Sequence, residues 1–490
     1  MTDLPAEPRV SAGRLGRGVW PTAAAVVVLL WSVSARYGFH RDELYFVVAG
    51  RRLDWGYVDQ PPLTPLLARL SESIGGTSPT ALRALSALAI GAVVVLAAAI
   101  ARRMGGGATA QLFAGVAAGG AGYALAVGHL LSTATFDYLL WTIAVWLLCG
   151  LLDGDDPRRW VLLGGVVGIG LQNKHLIGLL AAAILVALVV TPQRRMLAGI
   201  WPWIGVAVAA VIALPNVIWQ ATNDFPQLEM ASALAARRVG PIAFVVEQVG
   251  LLSIALAVPA AIGWWRLVRS DRMRRWRPLA IVFALLFVFF LATGGKSYYI
   301  APMYPVLLAA GALWFEGLAR TGRKLMGAAA ALGILIGSFV SLPLVPVSWV
   351  PHIDATGELG ETVGWPQLID QVATVYESIP ADRRPSTAIF TGSYGEAGAI
   401  DVLGDAAGLP AASSGHNNYW LWGPPPPHGP VIGVGAVGNT LERICPDVAT
   451  AGVISNPYGV DNEEAGLPLF LCLAPQRQLA DIWDEVRHYN

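Results

Sequence analysis

Thr80–Ala101 reads TALRALSALAIGAVVVLAAAIA, an almost unbroken apolar run. About 20 such residues cross the hydrocarbon core of a bilayer as a helix, so this stretch sets the fold class. Working outward, comparable runs occupy Trp20–Ala35, Thr109–Val127, Tyr138–Leu152, Trp160–Leu171, His175–Val190, Ile200–Trp219, Ile242–Trp265, Leu279–Thr293, Ile300–Leu318 and Met326–Val345. They predict a polytopic α-helical membrane protein with about eleven crossings. Trp160–Leu171 is short and glycine-rich, which suits a tilted helix or one that neighbours shield from lipid. Composition agrees with a membrane chain. Residues are 55% hydrophobic and 13% charged, whereas soluble proteins carry about 25% charged residues. The net charge of zero offers no basic footprint for nucleic acid. Trp20–Ala35 runs into Arg36 and Tyr37 instead of a small-residue cleavage site, so it reads as a retained helix.

Basic residues collect in cytoplasmic loops. With the N-terminus cytoplasmic, the inner connections are Arg102-Arg103, Asp153–Arg159, Arg194-Arg195, Arg266–Arg277 and Arg320–Lys324. Asp42-Glu43, Asp137, Lys174, Asp224 and Lys296 then fall together on the external side. Any external loop holds a few charges, so the argument rests on the set. Residues 1–345 form the transmembrane domain on this reading, with a first external loop at 37–79.

After Val345 the apolar runs stop. Short β-prone and helical stretches alternate at Thr387–Thr391, Gly395–Leu403, Pro430–Val437, Thr440–Cys445, Ala451–Ser455, Leu467–Leu473 and Leu479–His488. Residues 346–490 are therefore expected to form a small C-terminal α/β domain, external by the odd number of crossings. Cys445 and Cys472 would lie in an oxidising compartment. A disulfide and two buried thiols on neighbouring strands both fit. Pro424–Pro427 reads as a stiff polyproline turn.

The first external loop carries His40-Arg41-Asp42-Glu43-Leu44-Tyr45 and Asp54-Trp55-Gly56-Tyr57-Val58-Asp59-Gln60-Pro61-Pro62-Leu63. Charged side chains cost roughly 2.5–3.5 kcal/mol at a membrane helix centre, so adjacent acids at its boundary call for solvation, a partner or a use. Glu43–Arg51 and Leu63–Ile74 are amphipathic and suit helices along the membrane surface, with Asp59-Gln60-Pro61-Pro62 turning between them.

These first-loop motifs resemble those of family 39-like, GT-C-type glycosyltransferases, a group that includes protein O-mannosyltransferases and lipid A aminoarabinose transferases. The resemblance continues through Thr133-Ala134-Thr135-Phe136-Asp137, Asn173-Lys174-His175 and Lys296-Ser297-Tyr298-Tyr299-Ile300-Ala301-Pro302-Met303-Tyr304-Pro305. In the tail, Gly392-Ser393-Tyr394-Gly395-Glu396-Ala397-Gly398-Ala399-Ile400 and Ser414-Gly415-His416-Asn417-Asn418-Tyr419-Trp420 look like an actinobacterial subgroup. The resemblance implies a GT-C fold in the plasma membrane. It further implies transfer of a sugar from a polyprenyl-phosphate donor to an acceptor hydroxyl at the external face. A protein, a glycolipid and a cell-envelope polysaccharide all qualify as acceptor.

Such a displacement needs a carboxylate to take the acceptor proton. Asp42 matches the family's first-loop acid and is the expected base. Glu43 would orient the acceptor, hold the sugar or tune Asp42; a dipole-stabilised helix start is the bland alternative for both. The lipid phosphate leaving group needs positive charge. Of just three lysines, Lys174 and Lys296 flank external helix ends, and Lys324 lies in a basic loop. Tyr298 and Tyr299 offer hydroxyls to phosphate and rings to a prenyl chain, although an interfacial aromatic anchor reads equally well. Asp137 matches a second-loop acid or is a plain helix N-cap. Asp59, His129 and His175 complete the expected substrate-binding set. A divalent metal is possible among the histidines and acids, but no spacing rule selects it and none is assigned. The rival readings are a transporter or flippase of a polyprenyl-linked glycan, which should show repeats and midplane charges, and an inactive binding scaffold.

Overall fold

The computed structural model describes residues 14–236, 238–354, 357–426 and 429–489. Residues 1–13 of the first expected domain, and Pro427 of the proline run, lie outside them. Among the described residues, six helices are long and apolar enough to cross a membrane: Pro79–Arg103, Thr133–Leu152, Trp201–Thr222, Asp271–Thr293, Ser297–Gly317 and Arg320–Ser341. Counting each of three bent helix pairs as one crossing gives up to 9. Val19–Ser32 and Arg159–Leu171 are apolar but shorter. The chain is a multi-pass membrane protein.

Two expected spans are broken. Ala108–Gly120 and Gly122–Gly128 meet at 57°, and Pro241–Leu251 and Ile254–Arg269 meet at 101°. Ser253 and Ile254 take φ of 54° and 55°, which ends the helix before them. The two breaks face each other, and the Ser253 hydroxyl donates to the Gly120 carbonyl at 3.1 Å. A break in an apolar setting survives where a neighbour re-satisfies the backbone in this way. The short helix Arg159–Leu171 is covered on one face, and Leu162 and Ile169 stay exposed on the other. A Cβ on Gly164 would stand 2.0 Å from the Gly205 carbonyl oxygen, so helix Trp201–Thr222 lies against it at backbone contact, the small-residue packing common in membranes.

Three of the basic connections meet at one end. Arg103 pairs with Asp155 at 2.7 Å, Arg159 also pairs with Asp155, and Arg275 pairs with Asp153. Asp137 and Asp153 bracket most of helix Thr133–Leu152, a separation of roughly 25 Å at 1.5 Å per residue. The ionisable residues described below lie at the far end.

There the chain runs through α1 (Val19–Ser32), α2 (Arg41–Arg51), α3 (Leu63–Gly75) and α4 (Pro79–Arg103). α3 leaves Leu66, Leu70 and Ile74 exposed, one face at four-residue spacing, as an interfacial helix requires. α2 departs from the expectation of a surface helix. Glu43 through Gly50 are all buried, because α2 is roofed by the C-terminal part of the chain.

That part contains a five-stranded sheet built from β1 (Ala388–Thr391), β2 (Ala412–Ser414), β3 (Val431–Val434), β4 (Ala449–Val453) and β5 (Pro468–Cys472), in the order β2-β1-β3-β5-β4. β1 pairs parallel with β2 and β3, and β5 pairs antiparallel with β3 and β4. Side chains alternate between its faces. Ile389, Ile432 and Val434 pack with Leu44, Phe46, Val47 and Val48 of α2. Ala388, Phe390 and Val431 pack with Trp483 and with the Cys445–Cys472 disulfide on the other side. The first-loop helix thus belongs to the core of the α/β unit.

Candidate active site

His40 caps α2. Its Nδ1 accepts from the Asp42 amide at 3.2 Å, and its own amide donates to Glu43 at 2.8 Å. Glu43 is fully buried and paired with Arg83 of α4. The guanidinium donates to both carboxylate oxygens, at 2.9 and 2.6 Å, and the Leu131 amide adds a bond at 2.9 Å. Arg83 also donates to the carbonyls of Ser34 and Gly38, at 2.5 and 2.7 Å. Four donors reach Glu43, so its oxygens are committed to joining α2, α4 and the start of helix Thr133–Leu152. This arrangement departs from the expected roles of orienting the acceptor or holding the sugar, while the third expected role, tuning Asp42, needs no free oxygen.

Asp42 is placed differently, with its side chain 38% exposed. Its Oδ1 accepts the Tyr394 hydroxyl at 2.8 Å. Arg41 Nε lies 3.8 Å from Asp42, and Arg41 also pairs with Glu463 and, at 3.7 Å, with Glu361. Burial opposes ionisation of Asp42, but His40, Arg41, the Tyr394 hydroxyl and Lys296 outweigh it and hold the carboxyl below its ordinary value. A carboxylate ionised at neutral pH with one oxygen held can offer the other to a hydroxyl proton.

Lys174 and Lys296 both approach one aromatic pair. Lys174 Nζ stands 5.1 Å from the Tyr298 ring centroid and 5.2 Å from that of Tyr299, and Lys296 Nζ stands 5.9 Å from Tyr298. Asn173 fixes Lys174: it accepts from Thr64 at 2.9 Å and donates to the Thr133 carbonyl at 2.8 Å, joining α3 to the same helix start. Gln248 fixes the other side by donating to the Ser297 carbonyl at 3.0 Å. Asp137 is buried near Lys174, and its Oδ1 has no hydrogen-bond partner among the described residues. The N-cap of its helix is Ser132, whose side chain accepts from the Thr135 amide, so the capping alternative for Asp137 does not hold. Tyr298 has Lys296, Glu358, Asp42 and Asp137 as electrostatic neighbours. It is the residue around which the acids and ammonium groups gather.

Asp59 joins from beneath. The Tyr45 hydroxyl donates to its Oδ1 at 2.9 Å, and the Tyr45 and Tyr394 ring centroids are 4.9 Å apart. Burial pushes the Asp59 carboxyl up to about 7, with Asp42 adding to the rise against the Tyr45 hydroxyl. Two expected residues sit elsewhere. His129 is buried with its Nδ1 3.3 Å from the Leu125 carbonyl, within electrostatic range of Arg83 and Glu43. His175 Nε2 is 3.1 Å from Asn216, whose amide donates to the Trp55 carbonyl, a tie between helices. Among the described residues no group of three or more His, Cys, Asp or Glu side chains is arranged to hold a metal ion. Sequence reasoning missed Arg83, whose signal was a lone charge within an apolar run, and Tyr394, which lay within a quoted motif but was given no role.

Residues 59–219 match the family model described as dolichyl-phosphate-mannose-protein mannosyltransferase. The lipid A galacturonosyltransferase RgtD of Rhizobium johnstonii is 26% identical over 279 residues, 53% of this chain and 56% of that protein. The chain therefore spans about half the length of the curated relative it matches. Among solved structures, ArnT from Cupriavidus metallidurans bound to undecaprenyl phosphate superposes with a TM-score of 0.64 at 16% identity, covering 92% of this chain and 97% of that one. The archaeal oligosaccharyltransferase AglB from Archaeoglobus fulgidus, in complex with an inhibitory peptide and a dolichol-phosphate, gives a TM-score of 0.53 at 11% identity over 79% of this chain and 63% of that one.

Proposed function

We propose that the chain is a GT-C-type integral membrane glycosyltransferase using a polyprenyl-phosphate-linked sugar, a reading that the family match and the shared fold support. The reading assigns Asp42 as general base and a protein, glycolipid or cell-envelope glycan as acceptor. Support comes from relatives whose names or bound molecules are lipid-phosphate or lipid A glycosyl chemistry. The observation that carries it is the gathering of Asp42, Asp137, Lys174 and Lys296 around Tyr298.

In the proposed step the acceptor hydroxyl gives its proton to the oxygen of Asp42 that Tyr394 leaves open. The acceptor oxygen bonds to the anomeric carbon from the face opposite the phosphate, with inversion. The carbon–oxygen bond to phosphate breaks, and the polyprenyl phosphate departs with the electron pair. Lys174 and Lys296 meet that charge, the kind of fixed electrostatic stabilisation that lowers such barriers. Asp137 and Asp59 hold sugar or acceptor hydroxyls.

The site is assigned to the external face of the plasma membrane, with the N-terminus cytoplasmic and residues 346–490 external. Eleven crossings would need both shorter apolar helices to span as well. The paired basic loops at the opposite end support this sidedness, and so does the Cys445–Cys472 disulfide, a bond of oxidising compartments. The transporter alternative is not favoured, because the charged groups gather at one end of the helices instead of at their midplane.

The test incubates membranes containing the full chain with tritiated undecaprenyl-phosphate sugars and, separately, with nucleotide sugars. Consumption of a prenyl-linked sugar supports the reading. Use of nucleotide sugars alone, or of neither, contradicts it.

A further inference from the structure

Helix Tyr394–Leu403 of the C-terminal α/β unit packs on α2 beside the site. Gly395 and Gly398 form its contact face. A Cβ on Gly398 would lie 3.1 Å from the Leu44 side chain and 3.2 Å from the Tyr45 amide nitrogen, and one on Gly395 would lie 3.1 Å from the Arg41 Cβ. The helix therefore rests on the first turns of α2 with almost no intervening side chain. Ser393 and Glu396 close a capping box that fixes where it starts. The residue that this start delivers is Tyr394.

The Tyr394 ring is held on both sides, 4.9 Å from Tyr45 and 4.8 Å from His416 between centroids. The Tyr394 amide also donates to His416 Nδ1 at 3.3 Å. Asn417, next to His416, has φ of 48° and ψ of −130°, a conformation that a residue with a Cβ seldom adopts. A second joint locks the same segment to the first loop: the Val58 amide donates to Asn418 Oδ1 at 2.6 Å. Ring clamp, capping box and glycine seat leave the hydroxyl little choice of position, and it lies on Asp42 Oδ1.

The geometry points to Tyr394 as a positioning residue, supplied by the C-terminal unit, that holds one oxygen of Asp42 and so turns the other toward the acceptor. The α/β unit is on this account a structural part of the active site. The inference rests on the glycosyltransferase reading for its consequence, though the hydrogen bond itself stands apart from any substrate. Groups facing Asp42 are His40 and Arg41 from its own helix start, Tyr394 from the α/β unit, Lys296 and Tyr298 from the segment opposite, Glu358, and Asp59. A hydrogen bond to the ionised form favours it, so removing the phenol hydroxyl raises the Asp42 titration.

The experiment titrates Asp42 without any sugar. Full-length protein in lipid nanodiscs is treated over a pH series with a water-soluble carbodiimide and glycine ethyl ester, which modify protonated carboxyls, and the Asp42 peptide is quantified by mass spectrometry. In Tyr394→Phe the labelling midpoint is expected to move to higher pH, with an unchanged melting temperature. An unmoved midpoint overturns the inference. Should the phenylalanine variant fail to fold, a fluorinated tyrosine at position 394, a stronger donor, is expected to lower the midpoint, and no movement again overturns it. Failure of the underlying reading looks different: Asp42→Asn would keep consuming the prenyl-phosphate sugar that the wild type uses, whatever the labelling shows.

Discussion

Lys174 and Lys296 share a ring: their ammonium nitrogens lie 5.1 and 5.9 Å from the centroid of Tyr298. They come from different loops, and the face of an aromatic ring attracts cations, so Tyr298 gives both charges a common neighbour. Lys174 lies beside Asp137, and Lys296 lies within electrostatic range of Asp42.

If the pair meets the departing phosphate, Lys174→Ala and Lys296→Ala should each weaken use of the lipid donor by roughly tenfold or more, the worth of a charge-assisted hydrogen bond. Because they neighbour one another, the double variant should lose less than the product of the two. Steady-state kinetics in the donor measure both. Donor kinetics unchanged in the two single variants would remove the phosphate assignment.

Glu43→Gln should act on folding first. Breaking a buried pair that is fully hydrogen-bonded costs about 3–5 kcal/mol, so the variant should lose folded yield and melt earlier. Glu43→Gln with Arg83→Met should recover part of the loss. A Glu43→Gln protein that melts like the wild type yet transfers no sugar would show that the carboxylate does chemistry instead.

Glu464 is buried, and burial, with Glu361 and Glu396 nearby, pushes its carboxyl up to about 8. Between its ordinary value of 4.5 and about 8, the folded protein keeps a proton that the unfolded chain has released. Stability contributed by this group is present at low pH and falls as pH rises through that window. Glu464→Gln has no such proton to lose, so its melting temperature should fall less across the same range. Parallel curves for the two proteins would contradict the assignment.

The Cys445–Cys472 bond closes a separation of 27 residues, which the chain-entropy model values at about 3.5 kcal/mol. Cys445→Ser should lower the melting of the α/β unit. Alkylation mass shifts at Cys445 and Cys472 should appear only after reduction, and labelling without reductant would show that the thiols are free in the cell-derived protein.

The membrane helices were legible because lipid enforces long apolar runs, and the α/β strands because β1 and β3 carry β-branched residues and β5 is a short apolar run, all between turns. Their failures are physical too. Ser253 and Ile254 carry no helix-breaking side chain, so only their left-handed backbone reveals the kink. β2 is three residues long, too short for alternation to register, and helix Trp365–Ser378 was overlooked although Leu368, Ile369, Val372 and Val375 line one face. α2 reads as amphipathic, but its covering comes from residues beyond 360, which local periodicity cannot supply. For the same reason Asp42 was visible as a candidate and Tyr394 was not: the hydrogen bond joining them spans 352 positions. Arg83 is hidden inside an apolar run because its partner, Glu43, lies 40 positions earlier in the first loop.

The most direct measurement follows donor binding and turnover together in Asp42→Asn, using purified full-length protein and a tritiated undecaprenyl-phosphate sugar consumed by the wild type. The account predicts that the variant binds the lipid with wild-type affinity, because the lysines are untouched, and transfers almost no sugar. Sugar transfer at or near the wild-type rate would contradict it.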